Sequence, residues 1–285
     1  MSSHSLSAHV QRFYDENTDL FLTLGHSSEG SIHRAIWAYG VSSREEALHY
    51  IDDQICRLLL DYNDNSPPHI VDLGCGVASS LCYIESQLPV TGLGITLSEQ
   101  QCKLANLRIN KRGFSEKLQC IQADFCKLPK NLQKADLAFA IESFVHAQSA
   151  GAFFYQASTL VKPGGLLVIC DDFLADNTLL QNNEAAHWLE RFQQGWLINS
   201  LLSHEQIDKY ASQAGFKKVE RQNLSPYLAL SRPRDYCINL LIKVIDKLAL
   251  KSPYLQMLYG GHALQKCLSK QWINHEFVVW QKTND

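Results

Sequence analysis

The feature that most constrains the fold of this chain is a regular alternation of strand and helix patterns between residues 69 and 170. Short apolar runs predict five strands, which are His69–Leu73, Val90–Thr96, Leu118–Gln122, Ala135–Ile141 and Leu166–Cys170. Helical patterns at 78–87, 98–111 and 149–161 separate most of these strands. Strands that alternate with helices at this spacing imply βαβ units with right-handed crossovers. The sequence therefore predicts an α/β fold built on a parallel sheet.

The segments on either side of this alternation are predicted to be mainly helical. Helical patterns cover 5–24, 43–61 and 203–214, and Ser43 with Glu46 has the spacing of a capping box. Two further strands are predicted at Phe216–Gln222 and Glu276–Gln281, with a mostly helical stretch at 232–270 between them. We interpret 1–285 as one domain with three parts, which are a helical lid (1–62), a core (63–175) and late strands with a helical cap insertion (176–285, insertion about 226–272).

Composition and charge argue against several classes of function. The chain is 46% hydrophobic and has a formal net charge of −3, so it has no broad basic field for nucleic acid. It has no apolar run of the roughly 18 residues that a membrane span needs, and no signal-peptide pattern. Nine scattered cysteines without a C-x-x-C pair are typical of reduced core residues. These observations predict a cytoplasmic protein, and a homodimer is compatible with them.

A two-glycine turn follows the first predicted strand. In the segment VDLGCGVA, Gly74 and Gly76 allow a tight turn and a close approach of the backbone to a ligand. The next helix presents free N–H groups and the positive end of its dipole. A nicotinamide site is disfavoured, because Ser79 stands where a third glycine is needed and no acidic residue follows the second strand. A glycine pair of this kind also occurs in turns that bind nothing.

The order of the motifs resembles that of class I S-adenosylmethionine (SAM)-dependent methyltransferases. The matching segments are VDLGCGVAS, GLGITLSEQQ, IQADF, AFAIESFVHA and LVKPGGLLVICDDF, which together cover about 69–175. They are most similar to the small-molecule subgroup, which includes cyclopropane synthases, sterol and tocopherol C-methyltransferases, and rebeccamycin- and spinosyn-pathway enzymes. GSIHRAIW resembles the lid segment of this subgroup. The resemblance implies a Rossmann-like, seven-stranded, mostly parallel sheet whose last strand is antiparallel, with helices on both faces and a helical cap.

The resemblance also implies SAM as cofactor and a set of residues that bind it. These are Tyr14, His33 and Asp72, Gly74 and Gly76 around the methionine end, Thr96, Leu97 and Gln101 at the ribose, Ala123, Asp124 and Phe125 at the adenine, and Ile141 nearby. An amide such as that of Gln101 can bind a diol as a carboxylate does. For several of these residues a plain structural role stays open, which is packing for Tyr14, solvation for Gln101, a turn for Asp124 and a satisfied polar contact for His33.

Three residues after the fourth and fifth strands are candidates for catalysis. They are Glu142, His146 and Asp172, and the segment ESFVH resembles the E-S-x-x-H of sugar O-methyltransferases. A histidine titrates near neutral pH and can accept a proton from the acceptor. The base is either His146 or Asp172, or the mechanism is purely one of positioning. No metal is implied, because Asp171 and Asp172 lack an evident third ligand.

These patterns predict an enzyme that transfers a methyl group to a small, apolar metabolite, with carbon or oxygen favoured over nitrogen as the acceptor. Aromatic residues in 173–200 and 226–272 either line a pocket for that metabolite or pack the cap against the sheet. Two alternatives stay open. The protein is then either a SAM-binding enzyme with a different reaction, such as a cyclisation, or a non-catalytic SAM-binding protein.

Overall fold

The computed structural model of the chain describes residues 10–15, 18, 33–60, 66–230, 242 and 253–284. Its strands are β1 (His69–Leu73), β2 (Thr91–Thr96), β3 (Leu118–Gln122), β4 (Ala135–Ile141), β5 (Val161–Leu174), β6 (Phe216–Asn223) and β7 (Ile273–Lys282). Its helices are α1 (Arg44–Leu60), α2 (Ser79–Gln87), α3 (Glu99–Lys111), α4 (Ala150–Leu160), α5 (Asn183–Trp196), α6 (His204–Gln213) and α7 (Pro253–Ser269). Residues 10–15 and 18 are also helical.

The seven strands form one sheet in the order β3-β2-β1-β4-β5-β7-β6. The strands from β3 to β5 pair in parallel, whereas β7 runs antiparallel to both of its neighbours. This arrangement confirms the predicted Rossmann-like methyltransferase fold, including the single antiparallel strand. The carboxyl ends of β1, β2, β4 and β5 therefore lie at one edge, where open α/β sheets bind their ligands.

Helices cover both faces of the sheet, which explains why its central strands are mostly apolar. Side chains from α1, α2 and α3 pack on one face, and side chains from α4 and α6 pack on the other. A third apolar cluster joins α5 and α7 to the ends of β5 and β7, with Phe192 and Cys267 among its buried members. Helices α5 and α7 form a cap over the edge at which the parallel strands end.

The strand and helix predictions are confirmed for most elements, and the exceptions have physical reasons. Lys162–Gly165 reads as a turn in the sequence, but β5 begins at Val161, which pairs with Ala135 before a shift in register. The shift lets Gly164, with φ 75°, remain inside the strand as a bulge. Helix α5 was not predicted from the aromatic-rich segment that contains it.

Ser43 and Glu46 form the predicted capping box at the start of α1. The backbone N–H of Ser43 donates to the Glu46 carboxylate, and the backbone N–H of Glu46 donates to the Ser43 hydroxyl. Much of the predicted helices 5–24 and 232–270 lies outside the described residues. Within the described ranges, no helix is long and apolar enough to cross a membrane. The cysteines that the structure describes are all free thiols.

Candidate active site

A cavity of about 310 Å³ opens at the carboxyl ends of the parallel strands, beneath the cap. Its walls include most of the residues predicted from the sequence, namely Tyr14, His33, Gly74, Gly76, Thr96, Leu97, Gln101, Phe125, Ile141, Glu142, His146 and Asp172. Asp72, Ala123 and Asp124 are the predicted residues that do not line it. The fold thus brings segments from the lid, the sheet and the cap to one place.

The glycine loop forms the floor of the cavity at the end of β1. The N–H groups of Gly74 and Cys75 both donate to the Ile95 carbonyl at 2.9 Å, which folds the loop over β2. Gly74 has φ 111°, and a Cβ there would lie 2.3 Å from the Cβ of Ser143. Gly76 has φ 51° and nothing within 4 Å of an added Cβ. The loop therefore offers an open, side-chain-free cradle into which the charged end of a ligand fits.

Thr96 and Gln101 form a buried polar pair on the next wall. The Thr96 hydroxyl donates to Oε1 of Gln101 at 2.8 Å, and both side chains are buried. Ser98 caps α3 by accepting from the Gln101 N–H at 3.0 Å. The Ser98 hydroxyl also donates to Asp15 at 2.5 Å, which ties the N-terminal helical residues to this wall. Gln101 lies in the cavity wall and not on a solvated surface, as its predicted contact with a ribose requires.

The three predicted residues outside the wall have other contacts. Asp124 accepts from the Cys126 N–H at 2.7 Å in a turn after β3, and Ala123 donates its N–H to the Thr96 carbonyl at 2.9 Å. Asp72 is buried in β1, and burial raises its pKa well above the ordinary value. Their roles at the cofactor stay predictions.

Tyr14 and His146 meet across the mouth of the cavity. The Tyr14 hydroxyl lies 3.0 Å from Nε2 of His146, and the two rings meet edge to face at 5.6 Å. Nδ1 of His146 lies 3.4 Å from the Leu197 carbonyl, which can only accept. The hydrogen of the neutral ring is therefore on Nδ1, and Nε2 accepts from Tyr14. Burial lowers the pKa of His146, against the opposing effects of Leu197 and Glu142, so the ring is neutral at pH 7.

A partly buried cluster of charged residues also lines the cavity, and Arg34 is at its centre. Nη1 of the Arg34 side chain donates to Oδ1 of Asp172 at 2.9 Å. The backbone N–H of Arg34 donates to Oε1 of Glu142 at 2.8 Å. His275 Nδ1 lies 3.2 Å from the same oxygen of Asp172. Glu142 has φ 50°, which is an unusual backbone conformation for a residue with a side chain. Such strain at the end of a strand is common at functional sites.

The charges of this cluster set the ionisation of its carboxyl groups. Burial favours the neutral acid at Asp172, but Arg34 and His275 outweigh it and lower the pKa of Asp172 to about 2. The pKa of Glu142 is lowered in the same way, with Arg34 again the main cause that outweighs burial. At the neighbouring Asp171, burial and the charge of Asp172 outweigh the effect of Arg34 and raise the pKa well above the ordinary value. Glu142 and Asp172 are thus ionised at neutral pH.

Sequence reasoning missed Arg34 and His275. Arg34 follows His33 within the lid segment, so its position in the motif was the one signal that could have found it. His275 faces Asp172 because β5 and β7 pair antiparallel in the register that sets these two residues opposite each other. They lie 103 residues apart in the chain, so a single sequence gives no sign of that pairing.

The remaining wall of the cavity is apolar and belongs to the cap. Its members come from the helical turn after β4, from α5 and the turn after it, and from α7, and they are Val145, Phe192, Trp196, Ile198 and Leu264. A ligand inside the cavity therefore touches the glycine cradle on one side, charged and neutral polar groups on another, and a hydrocarbon surface on the third.

Known proteins share both the sequence and the fold of this region. Residues 71–169 match the family of methyltransferase domains. The O-methyltransferase cnsE of Penicillium expansum is 28% identical over 229 residues, which are 79% of each chain. The 24-methylenesterol C-methyltransferase 2 of Oryza sativa subsp. japonica is 25% identical over 240 residues, 79% of this chain and 60% of that protein. The chain is a class I SAM-dependent methyltransferase.

The fold of the methyltransferase also matches solved structures over almost its whole length. One of them is a mycolic acid cyclopropane synthase complexed with SAH (S-adenosylhomocysteine) and CTAB. It superposes with a TM-score of 0.75 at 17% identity, and the match covers 97% of this chain and 98% of that chain. SAM is the cofactor of this methyltransferase. The open cradle at Gly76 and the buried amide of Gln101 fit a ligand with a charged amino-acid end and a sugar. Among the described residues, no group of three or more His, Cys, Asp or Glu side chains is placed to hold a metal ion.

Proposed function

We propose that this methyltransferase transfers a methyl group to an oxygen or carbon atom of a small, largely apolar metabolite. The observation that carries the proposal is the composition of the cavity at the strand ends, which brings together a glycine cradle, a Tyr14–His146 pair and an apolar wall. The apolar wall favours a hydrocarbon-rich acceptor over a peptide or nucleic acid. Oxygen and carbon are proposed ahead of nitrogen because the two curated relatives above are an O- and a C-methyltransferase.

The cofactor occupies the sheet side of the cavity in this proposal. Gly74 and Gly76 hold its amino-acid end, Gln101 its ribose and Phe125 its adenine. When bound, SAM supplies a methyl group on a sulfonium centre, and an acceptor attacks the methyl carbon in line with the departing sulfur. The protein excludes water with its cap and aligns the acceptor against the apolar wall, and such alignment alone accounts for a large part of the rate enhancement in bimolecular reactions.

His146 is the proposed base for an acceptor that loses a proton. Its neutral ring and the tautomer fixed by Leu197 leave Nε2 as the basic atom, which points at the Tyr14 hydroxyl. An acceptor hydroxyl either replaces that phenol at Nε2 or passes its proton through it. Asp172 is a weaker base because its pKa of about 2 gives it little affinity for a proton.

Glu142 and Asp172 have a different role in the proposal. Both carry negative charge at the end of the sheet, and both line the cavity. Methylation of a carbon–carbon double bond leaves a cation on the acceptor, and ionised carboxylates beside it stabilise that charge. Arg34 keeps the two carboxylates ionised and in place without neutralising both of them.

An assay with methyl-labelled SAM and fractionated metabolite extracts tests the proposal. We expect label in a small, extractable product, and we expect His146→Ala to lower turnover by about 100-fold with unchanged affinity for S-adenosylhomocysteine (SAH). His187→Ala, at an exposed histidine of α5, is the matched control and keeps full turnover.

Three results would count against parts of this proposal. Unchanged turnover in His146→Ala removes the base, and a loss confined to Asp172→Asn transfers that role to Asp172. SAH binding without any labelled product from any fraction contradicts methyl transfer to a small molecule and favours a different reaction in the same cavity.

A further inference from the structure

Three thiols lie in or close to the glycine loop and have no part in the proposed mechanism. This thiol cluster consists of Cys75 in the glycine loop, Cys102 on α3 and Cys120 on β3. The sulfur atoms of Cys75 and Cys120 are 3.4 Å apart and are buried. The Cys102 sulfur lies 3.5 Å from the Cys120 carbonyl oxygen. Two of the three thiols are thus in direct contact, although their residues lie on elements separated by β2.

A missing side chain in β2 makes that contact possible. Gly94 of β2 pairs with Cys120 on one side and with Asp72 on the other. A Cβ on Gly94 would lie 2.7 Å from the sulfur of Cys75 and 3.0 Å from its Cβ. The side chain of Cys75 therefore crosses over β2 in the space that a residue larger than glycine would fill.

The two partners differ in their freedom to move. Cys120 lies in a strand whose register with β2 is continuous from Leu118 to Gln122. Cys75 lies in the glycine loop at the wall of the cavity, but its side chain is buried, so a peroxide reaches the sulfur when the loop moves. A disulfide needs a sulfur–sulfur distance of about 2.05 Å, so the sulfurs must approach by about 1.4 Å. Most of that movement falls on the loop, because β3 is held in the sheet.

We propose that Cys75 and Cys120 form a modification site for peroxides, and that their disulfide weakens the binding of SAM. A peroxide oxidises one thiol to a sulfenic acid and is itself reduced to water. The second thiol attacks that sulfur, the S–S bond forms, and the sulfenic oxygen leaves as a second water. Two thiols and one hydrogen peroxide thus give one disulfide and two waters.

The site and the cofactor influence each other in this scheme. The disulfide draws Cys75 toward β3 and so displaces Gly74 and Gly76, the two neighbours that form the cradle. A bound cofactor, in turn, covers Cys75 in the wall of the cavity and shields it from peroxide. The hydrogen bond between the two thiols lowers the pKa of Cys120 and raises the pKa of Cys75, so Cys120 is the one that attacks as a thiolate.

Oxidation of the purified protein with hydrogen peroxide tests the proposal without any knowledge of the acceptor. We expect peptide mapping after alkylation to find a Cys75–Cys120 link. Calorimetric titration should show SAH bound at least about tenfold more weakly, since the loss of one hydrogen bond to a charged group has an effect of this size. A reductant should restore the original affinity, and SAH present during oxidation should slow the formation of the link.

Matched cysteine variants decide whether this pair is responsible. Cys120→Ser should keep its SAH affinity after peroxide, whereas Cys82→Ser, at another buried thiol on α2, should lose affinity as the wild type does. Cys120→Ala replaces the serine variant if thermal unfolding shows that the latter is not folded. SAH binding by the reduced wild-type protein is the positive control, so a failure here is distinct from a failure to find the acceptor.

Any of four results overturns the proposal. They are the absence of the Cys75–Cys120 link, a link between Cys102 and Cys120 in its place, a Cys75–Cys120 link that leaves SAH affinity unchanged, and an equal loss of affinity in the folded Cys120 variant.

Discussion

The cofactor side and the acceptor side of the cavity are built in different ways. The cofactor side depends on backbone and small side chains, with Gly74, Gly76 and the Thr96–Gln101 pair close to one another in sequence. The acceptor side depends on buried charges, and Arg34 joins carboxylates that lie 108 and 138 residues away in the chain. The cofactor side is thus sensitive to changes in backbone geometry, and the acceptor side is sensitive to changes in charge.

This difference implies different responses to mutation. A substitution on the cofactor side acts through steric conflict, which depends on where a Cβ would lie. A substitution on the acceptor side acts through the charge that is left without a partner, which is costly in a buried place. Measurements of stability, pH dependence and SAH affinity therefore separate the two sides.

Gly74→Ala should cause the largest loss of stability. Its Cβ would lie 2.3 Å from Ser143, and φ at this position is 111°, so we expect a loss of about 3 to 4 kcal/mol in the free energy of unfolding. Gly76→Ala is the matched control, with φ 51° and open space around the Cβ, and should lose only about 1 kcal/mol. Urea denaturation measures both, and equal losses would mean that the contact with Ser143 does not constrain the loop.

Arg34→Ala tests the acceptor side. It leaves the half-buried Glu142 and the buried Asp172 without their shared cation, and we expect a loss of about 3 kcal/mol in the free energy of unfolding, most of it from Asp172. Arg34→Lys keeps the charge but loses the fork of donors, and should recover part of the loss. Urea denaturation at pH 7 measures these values. Wild-type stability in Arg34→Ala would show that the cluster contributes nothing to folding.

The pH dependence of stability tests the ionisation of Asp172. Its pKa is about 2 in the folded protein and near 3.8 in the unfolded chain, so it stabilises the fold above about pH 4. That contribution, about 2 kcal/mol, should disappear as the pH falls toward 2. Asp172→Asn should therefore be less stable than the wild type at pH 6, with a difference that shrinks in acid. A constant difference across this range, in thermal unfolding, would contradict the lowered pKa.

Thr96→Val should have the smallest effect, on binding and not on folding. It removes the hydroxyl that orients Gln101, and we expect SAH to bind about fivefold more weakly, which is a loss of about 1 kcal/mol. Thr96→Ser keeps the hydroxyl and should bind SAH as the wild type does. Calorimetric titration measures both variants, and an unaffected Thr96→Val would remove Thr96 from the cofactor site.

The same contrast explains what the sequence could predict. The bounds of β1, β3 and β4 were predicted to the residue, because their apolar runs end in glycine or polar residues. The start of β5 was missed because Lys162–Gly165 has the composition of a turn, and the pairing of Val161 with Ala135 outweighs it.

Within the site, the residues found from sequence belong to contiguous motifs, as Gly74 and Gln101 do. Arg34 and His275 were missed because each acquires its role from a partner more than a hundred residues away. The tautomer of His146 could not be predicted from the sequence either, since it depends on the carbonyl of Leu197 at the end of α5. Long-range charge pairing is therefore the part of this site that a single sequence does not contain.

The antiparallel strand β7 has a consequence for the order in which the protein is made. His275 completes the surroundings of Asp172, yet a ribosome synthesises it 103 residues later. At typical rates of translation this delay is on the order of 5 to 20 s. Throughout that interval β5 presents an unpaired edge, and the carboxylate of Asp172 lacks its contact with the His275 ring. The growing chain thus passes through a stage in which this sheet edge is open to other chains, and the closing strand both pairs with that edge and completes the surroundings of Asp172.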